Sequence, residues 1–188
     1  MDEHAGIDGG AAEAFATYRR KQPQDAEIAT LFEQFLRDAG RGDPFRRERL
    51  DGHFTGSAWL VSADGERALL LHHRKLDRWL QPGGHADGDR DLAAVALREA
   101  TEETGLAGLR VEPAVFDLDR HRIPARGAEP EHWHYDVRYL VRAGADETFV
   151  ANAESHALAW RRISDIAADP AIDASVRRLA LKSLDRSA

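Results

Sequence analysis

The chain has 188 residues, 43% of them hydrophobic and 31% charged, which suits one well-buried core and excludes a disordered chain. A formal charge of −7 argues against a general nucleic-acid binder, which carries a basic stripe, and the lack of cysteine excludes disulfides, thiolate metal sites and a cysteine nucleophile. No apolar run reaches membrane-spanning length and no charged-then-apolar leader opens the sequence, so a cytoplasmic protein with no membrane partner is expected.

In chain order, the first ten residues are small, charged and glycine-bearing, and are expected to be loose. A short helix is predicted from Ala11 to Arg20, broken at Pro23. A clearer one follows, with Ile28, Leu31, Phe32, Phe35 and Leu36 at helical spacing. It should stop near Gly40, where Gly-Arg-Gly-Asp-Pro reads as a C-cap and turn. Residues 1–44 carry no recognisable chemistry. They are read as an N-terminal helical extension that packs on the remaining domain, 45–188, or on a partner subunit, which makes a homodimer one expected assembly.

From about Phe54 the texture changes. Ser57 to Ser62 reads as a strand, Ala63 to Glu66 as a hairpin turn, and Ala68 to His72 as a second strand. Gln81-Pro82-Gly83-Gly84 is a turn into a loop. A strong helix runs from about Asp91 to Thr104 and is closed by Gly105. Strands are predicted at Val111 to Arg122 and Trp133 to Val141, separated by a loop from Pro124 to Pro130. A short strand near Leu158 to Trp160 and helices at Ile163 to Ala168 and Ala174 to Leu184 complete the chain. Strands with flanking helices, without a steady βαβ rhythm, predict an α/β (α+β) fold, a mixed sheet sandwiched by helices.

On a helical wheel, Leu92, Ala93, Ala96, Leu97 and Ala100 fill one arc, the packed face. Glu99, Glu102 and Glu103 cluster along its edge, since residues three and four apart are neighbours. The three carboxylates repel one another, and Glu103 also sits near the negative end of the helix dipole. A hard divalent cation, magnesium or manganese, would remove both penalties. Glutamates on a helix are also commonly a solvated face. What sets these apart is their surroundings: a Gly-Gly turn before the helix, Arg98 just before the first glutamate, and Gly105-Leu106 after the last.

The stretch Gly84-His85-Ala86-Asp87-Gly88-Asp89-Arg90 followed by Arg98-Glu99-Ala100-Thr101-Glu102-Glu103-Thr104-Gly105-Leu106 resembles the Nudix box. That box is a glycine, five residues, a glutamate, seven residues, then Arg-Glu-apolar-x-Glu-Glu-x-Gly-apolar. One position departs, with Arg90 where the pattern has its first glutamate. The resemblance implies a Nudix-like α/β/α sandwich and an Mg2+-dependent hydrolase, Mn2+ being an alternative. Its substrate would be a small molecule with a phosphoanhydride in a nucleoside diphosphate linked to another moiety. It implies Glu102 and Glu103 as principal metal ligands, Glu99 as a further ligand or the base that activates water, and Arg98 as the residue that holds the glutamates. The turn at Gly83-Gly84 would let backbone groups approach metal or phosphate. The missing glutamate normally pairs with the box arginine, and Asp89 or Asp91 is a candidate replacement. Loosely, the family also implies a late-loop carboxylate near the metal, for which Glu154 is the candidate and a solvated loop residue the alternative.

Substrate recognition must come from outside the box. Arg74, Lys75 and Arg78 precede the Gly-Gly turn and could meet phosphates, or could be solvated loop cations. His85 is placed for contact by its position beside the turn. His132, His134 and Asp136 alternate along a predicted strand and share a face, with His121 able to sit opposite; Trp133, Tyr135, Val137 and Tyr139 take the core face. The polar set could bind a metal, donate to a phosphate, with His134 the candidate contact, or hydrogen-bond within a polar patch. A non-catalytic nucleotide- or ligand-binding module on the same fold is the competing function, kept open by Arg90. Isoprenoid diphosphate isomerisation is rejected for want of cysteine.

Overall fold

The computed structural model describes residues 8–74, 76–150 and 155–187. Two helices open it, α1 (Asp8–Lys21) and α2 (Ala26–Arg37), joined through a short 3-10 turn at Pro23–Asp25. The strands are β1 (Gly52–Val61), β2 (Arg67–His73), β3 (Arg78–Leu80), β4 (Gly83–His85), β5 (Arg110–Ile123), β6 (His132–Arg142) and β7 (Ser155–Arg162). Helix α3 (Leu92–Thr104) lies between β4 and β5, and α4 (Ile163–Ala168) and α5 (Ala174–Ser187) close the chain. None of the described helices is long and apolar enough to cross a membrane.

Among the described residues the seven strands form one mixed sheet, β3-β2-β1-β6-β5, with β4 also paired to β1 and β7 to β2. The β1–β6 pair is parallel and runs the whole length of β1, from Gly52 opposite Trp133 to Val61 opposite Arg142. Every residue of β1 is buried, as a central strand covered on both faces should be. The expected strand began at Ser57. The structure extends it back to Gly52, because Gly52, His53, Thr55 and Gly56 lack the apolar alternation that marks a strand in sequence; all four owe their place to β6, and Thr55 and Gly56 to β4 as well. Likewise Gly83–His85, expected as turn and loop, pairs with Thr55–Ser57 as a short strand.

Side chains alternate across β1, so the sheet carries two cores. Phe54, Ala58 and Leu60 face α1, α2 and α3 together with Phe15, Phe32, Phe35, Val95, Ala96, Ala100, Tyr135 and Val137. Trp59 and Val61 face α4 and α5 with Leu140, Ile163, Ile166, Val176 and Leu179. Helices on both faces of a mixed sheet give the α/β/α layering expected from sequence. The N-terminal helices belong to the first core: Phe35 stacks on Tyr135 with ring centres 3.7 Å apart and planes 8° from parallel, and Phe15, Phe32 and Phe35 all meet Phe54. Trp133 is half-buried beside that core, and Tyr135, Val137 and Tyr139 are buried in it, on the face predicted for them.

Helix α3 packs close to β1 because Gly56 has no side chain. A Cβ there would lie 2.8 Å from the Leu92 carbonyl oxygen and 2.9 Å from Val95 Cγ1. The helix is capped at both ends. Asp91 accepts from the Ala94 N–H at 3.0 Å, and Gly105 adopts the left-handed conformation (φ 68°) while its N–H donates to the Thr101 carbonyl.

Candidate active site

The packed face of α3 is turned slightly from the one expected: Leu92, Val95, Ala96 and Ala100 are buried, and so is Glu103, at 9% exposure. The Gly83 N–H donates to Glu103 Oε2 at 2.9 Å, so a backbone donor on β4 fixes this carboxylate. Glu99, one turn earlier, is half-buried and lies against Gly84, where an added Cβ would stand 2.5 Å from Glu99 Cδ. Glu102 projects into solvent. Burial pushes the Glu99 carboxyl up, the Arg98 charge pulls it down, and the Glu102 charge pushes it up again.

Arg98 reaches Asp89 Oδ2, the His85 carbonyl oxygen and Glu99 Oε1, each at 3.4 Å. Asp89 therefore supplies the carboxylate that Arg90 does not, while Asp91 is committed to the helix cap. Arg90 turns the other way, 3.1 Å from Asp43 Oδ2 and with its guanidinium 4.8 Å from the Phe45 ring centre.

Neighbouring residues of a strand point to opposite faces, and β4 uses this at Gly84 and His85. Gly84 faces the α3 glutamates. The His85 ring lies 5.0 Å from the rings of both His53 and His134 on the α5 side of the sheet. A histidine group is assembled there: His53 is also 4.9 Å from His132 and from His134, and His121 stands 5.4 Å from His134 at the outer edge. The parallel register sets His53 beside His134, and the antiparallel one sets His121 beside it on the other side. Burial, then the neighbouring histidines, lowers His53 to about 4 and His134 to about 2; burial, then Arg47, also lowers His85.

Of the three roles open to the polar set, metal binding, phosphate contact and hydrogen bonding within a polar patch, Asp136 takes the last. Its Oδ1 accepts from Thr55 Oγ1 (2.8 Å) and Ser57 Oγ (2.7 Å), and its Oδ2 accepts from Arg138 Nε (2.8 Å). His53 takes its place in the group. Sequence reading missed His53 because it lies in the part of β1 without strand-like alternation. Arg74 stands exposed just after β2, and among the described residues no hydrogen bond or ion pair joins it to the glutamates of α3 or to the histidine group. Glu154 and Lys75 lie outside the described residues.

A model of the NUDIX domain family matches residues 53–181, leaving α1 and α2 outside. The Mycobacterium tuberculosis protein named "Putative 8-oxo-dGTP diphosphatase 3", matched in two strains, is 32% identical over 139 residues. That alignment covers 68% of this chain and 62% of the relative, so this chain spans less than two thirds of that protein's length. The E. coli dihydroneopterin triphosphate pyrophosphohydrolase superimposes with a TM-score of 0.58 at 18% identity, covering 72% of this chain and 96% of that one. A C. elegans Ap4A hydrolase does so with a TM-score of 0.57 at 19% identity, covering 71% and 96%. The MutT protein of Methanosarcina mazei Go1 gives 0.56 at 18%, covering 72% and 95%. At such identities the likeness is one of fold.

Proposed function

The chain belongs to the NUDIX domain family, and from that premise we propose that it hydrolyses a phosphoanhydride bond in a nucleoside diphosphate linked to another group, with Mg2+ or Mn2+ as cofactor. The reading is carried by the way β4 presents its backbone to α3. Gly83 holds Glu103, and Gly84 leaves room for the Glu99 carboxylate that any side chain would occupy. Carboxylate oxygens are the donor set that a hard divalent cation takes, so the residues fit the group. Glu99, Glu102 and Glu103 would hold it, and Glu154 is proposed as a further ligand from the late loop. When bound, such an ion neutralises phosphate charge and lowers the pKa of coordinated water.

The chain's own residues do the rest. Arg98, braced by Asp89, holds Glu99 toward Gly84. Glu99 takes the proton of the attacking water, whose oxygen bonds to phosphorus as the bridging P–O bond breaks and the leaving phosphate departs with the electron pair. His85 and His134 are proposed to contact the substrate from the opposite face of β4, and Arg74 from the turn after β2. The name of the M. tuberculosis relative makes a nucleoside triphosphate the first substrate class to test.

The test is a screen of nucleoside triphosphates, dinucleoside polyphosphates and nucleotide sugars with Mg2+, reading released phosphate or pyrophosphate. Glu102→Gln should lower kcat by at least about a hundredfold with an unchanged melting temperature, because Glu102 is exposed and its loss removes a charge-stabilising group alone. Glu103→Gln should match it in the loss of kcat. Tight nucleotide binding without turnover under every metal would replace the hydrolase with a binding module.

A further inference from the structure

The histidine group on the α5 side of the sheet has a chemistry that the glutamates of α3 do not share. We propose that His53, His132 and His134 form a binding site for a borderline divalent cation of the zinc type, separate from the carboxylate group on α3. One ring nitrogen from each of the three can be chosen so that all lie within 4.8 Å of one another.

The tautomer of His132 is fixed by its surroundings. Its Nδ1 is 2.9 Å from the Pro130 carbonyl oxygen, which only accepts, so Nδ1 carries the proton and Nε2 presents a lone pair. An imidazole that donates through one nitrogen to a backbone carbonyl and offers the other is the arrangement that orients a metal-bound histidine. The lone pair faces His134 Nε2 at 3.3 Å. Two nitrogens on a tetrahedral ion at Zn–N distances of about 2.0–2.1 Å are separated by about 3.3–3.4 Å.

His53 supplies the independent observation. It is 2% exposed, and among the described residues neither Nδ1 nor Nε2 has a hydrogen-bond partner; the Arg49 backbone is near but makes no bond of ordinary geometry. A hydrogen bond between His132 and His134 would account for their 3.3 Å separation, but it would leave both buried nitrogens of His53 unsatisfied. A cation accepts the His53 lone pair together with the other two. Nitrogen donors select zinc, cobalt or nickel over magnesium, so the two groups sort ions by hardness across one strand. His85 flanks the histidines, and Glu129 Oε1 lies 3.8 Å from His132 Nε2, close enough to offset the positive charge. The ion would tie the first residues of β1 to those of β6.

The experiment uses the full chain without a histidine tag, stripped by chelation and held in excess Mg2+ so that the carboxylates are occupied. Titration with Co2+ should produce visible d–d bands of tetrahedral intensity at one equivalent, reversed by Zn2+. X-ray absorption of the Zn2+-loaded wild type should show imidazole scattering from three rings, a readout that needs no variant to fold. His53→Gln and His134→Gln should each weaken Zn2+ by more than about a hundredfold, beyond the effect of losing an outer-shell partner. They should also abolish the rise in melting temperature that Zn2+ gives the wild type. Glu102→Gln should keep the Co2+ spectrum, so the fate of this site is read apart from that of the hydrolase. An oxygen-only shell, weak octahedral bands, or Zn2+ affinity unchanged in both histidine variants overturns the proposal.

Discussion

Arg90 stands where the Nudix pattern has a glutamate, yet Arg98 keeps a carboxylate partner because Asp89, one position earlier, turns toward it. The substitution is accommodated locally: Arg90 finds Asp43 and the face of Phe45, contacts a glutamate there would not make. Arg98 in turn touches Glu99 and the His85 carbonyl, so Asp89 acts on Glu99 through Arg98 and is a positioning residue. Asp89→Asn should lower kcat by about 10–100-fold, the usual effect of removing a second partner from a ligand-bearing group, with KM for substrate little changed. Asp89→Glu should recover part of the loss. Steady-state kinetics at saturating Mg2+ checks this, and equal loss in KM and kcat would place Asp89 in substrate binding instead.

At the scale of elements, α3 was legible in sequence from cap to cap: Asp91, the apolar arc and Gly105 mark it. The strand that serves it was not. Gly83–His85 is strand only by virtue of its pairing with Thr55–Ser57, and the first half of β1 is strand because β6, joined by β4 from Thr55 on, holds it, which no local pattern reports. His53 was missed with it, and the role of Asp136 stayed open among metal, phosphate and polar patch because a shared strand face says nothing of Thr55 and Ser57 across the sheet. Two glycines at this junction separate stability from activity. Gly56→Ala would press Ala Cβ into the Leu92 carbonyl and Val95 and should destabilise the fold by about 1–3 kcal/mol in urea unfolding. Gly84→Ala instead displaces the Glu99 carboxylate, a side-chain end able to swing away, and should depress kcat far more than the unfolding midpoint. The reverse ranking would show that Gly84 of β4 serves packing.

Over the whole molecule, the sheet, α5 and the N-terminal helices are joined through one buried ion group. Arg138 reaches Asp117, Asp119 and Asp136; Arg178 from α5 reaches Asp117 and Asp119; Lys182, also from α5, reaches Asp117 and Asp25. Removing one member leaves charge buried without compensation, so Arg138→Met should cost about 3–5 kcal/mol. Asp119 makes the group sensitive to pH. Burial pushes its carboxyl up, but the hydrogen bond from His121 and the charges of Arg138 and Arg178 together hold it well below the usual carboxylate range. As pH falls, the unfolded chain takes up this proton near pH 4 while the folded chain still resists it, so protons favour unfolding. The stability that ionised Asp119 contributes is therefore complete above about pH 5 and is lost as pH drops through 4 toward the depressed folded value. Asp119→Asn should melt below the wild type at pH 7, and the gap should close between about pH 5 and 2 as the wild type loses what the variant never had. Because the chain's other carboxylates titrate in both proteins, the difference between the two melting curves isolates Asp119, and parallel curves over that interval would mean that its charge is not held by Arg138 and Arg178 in solution.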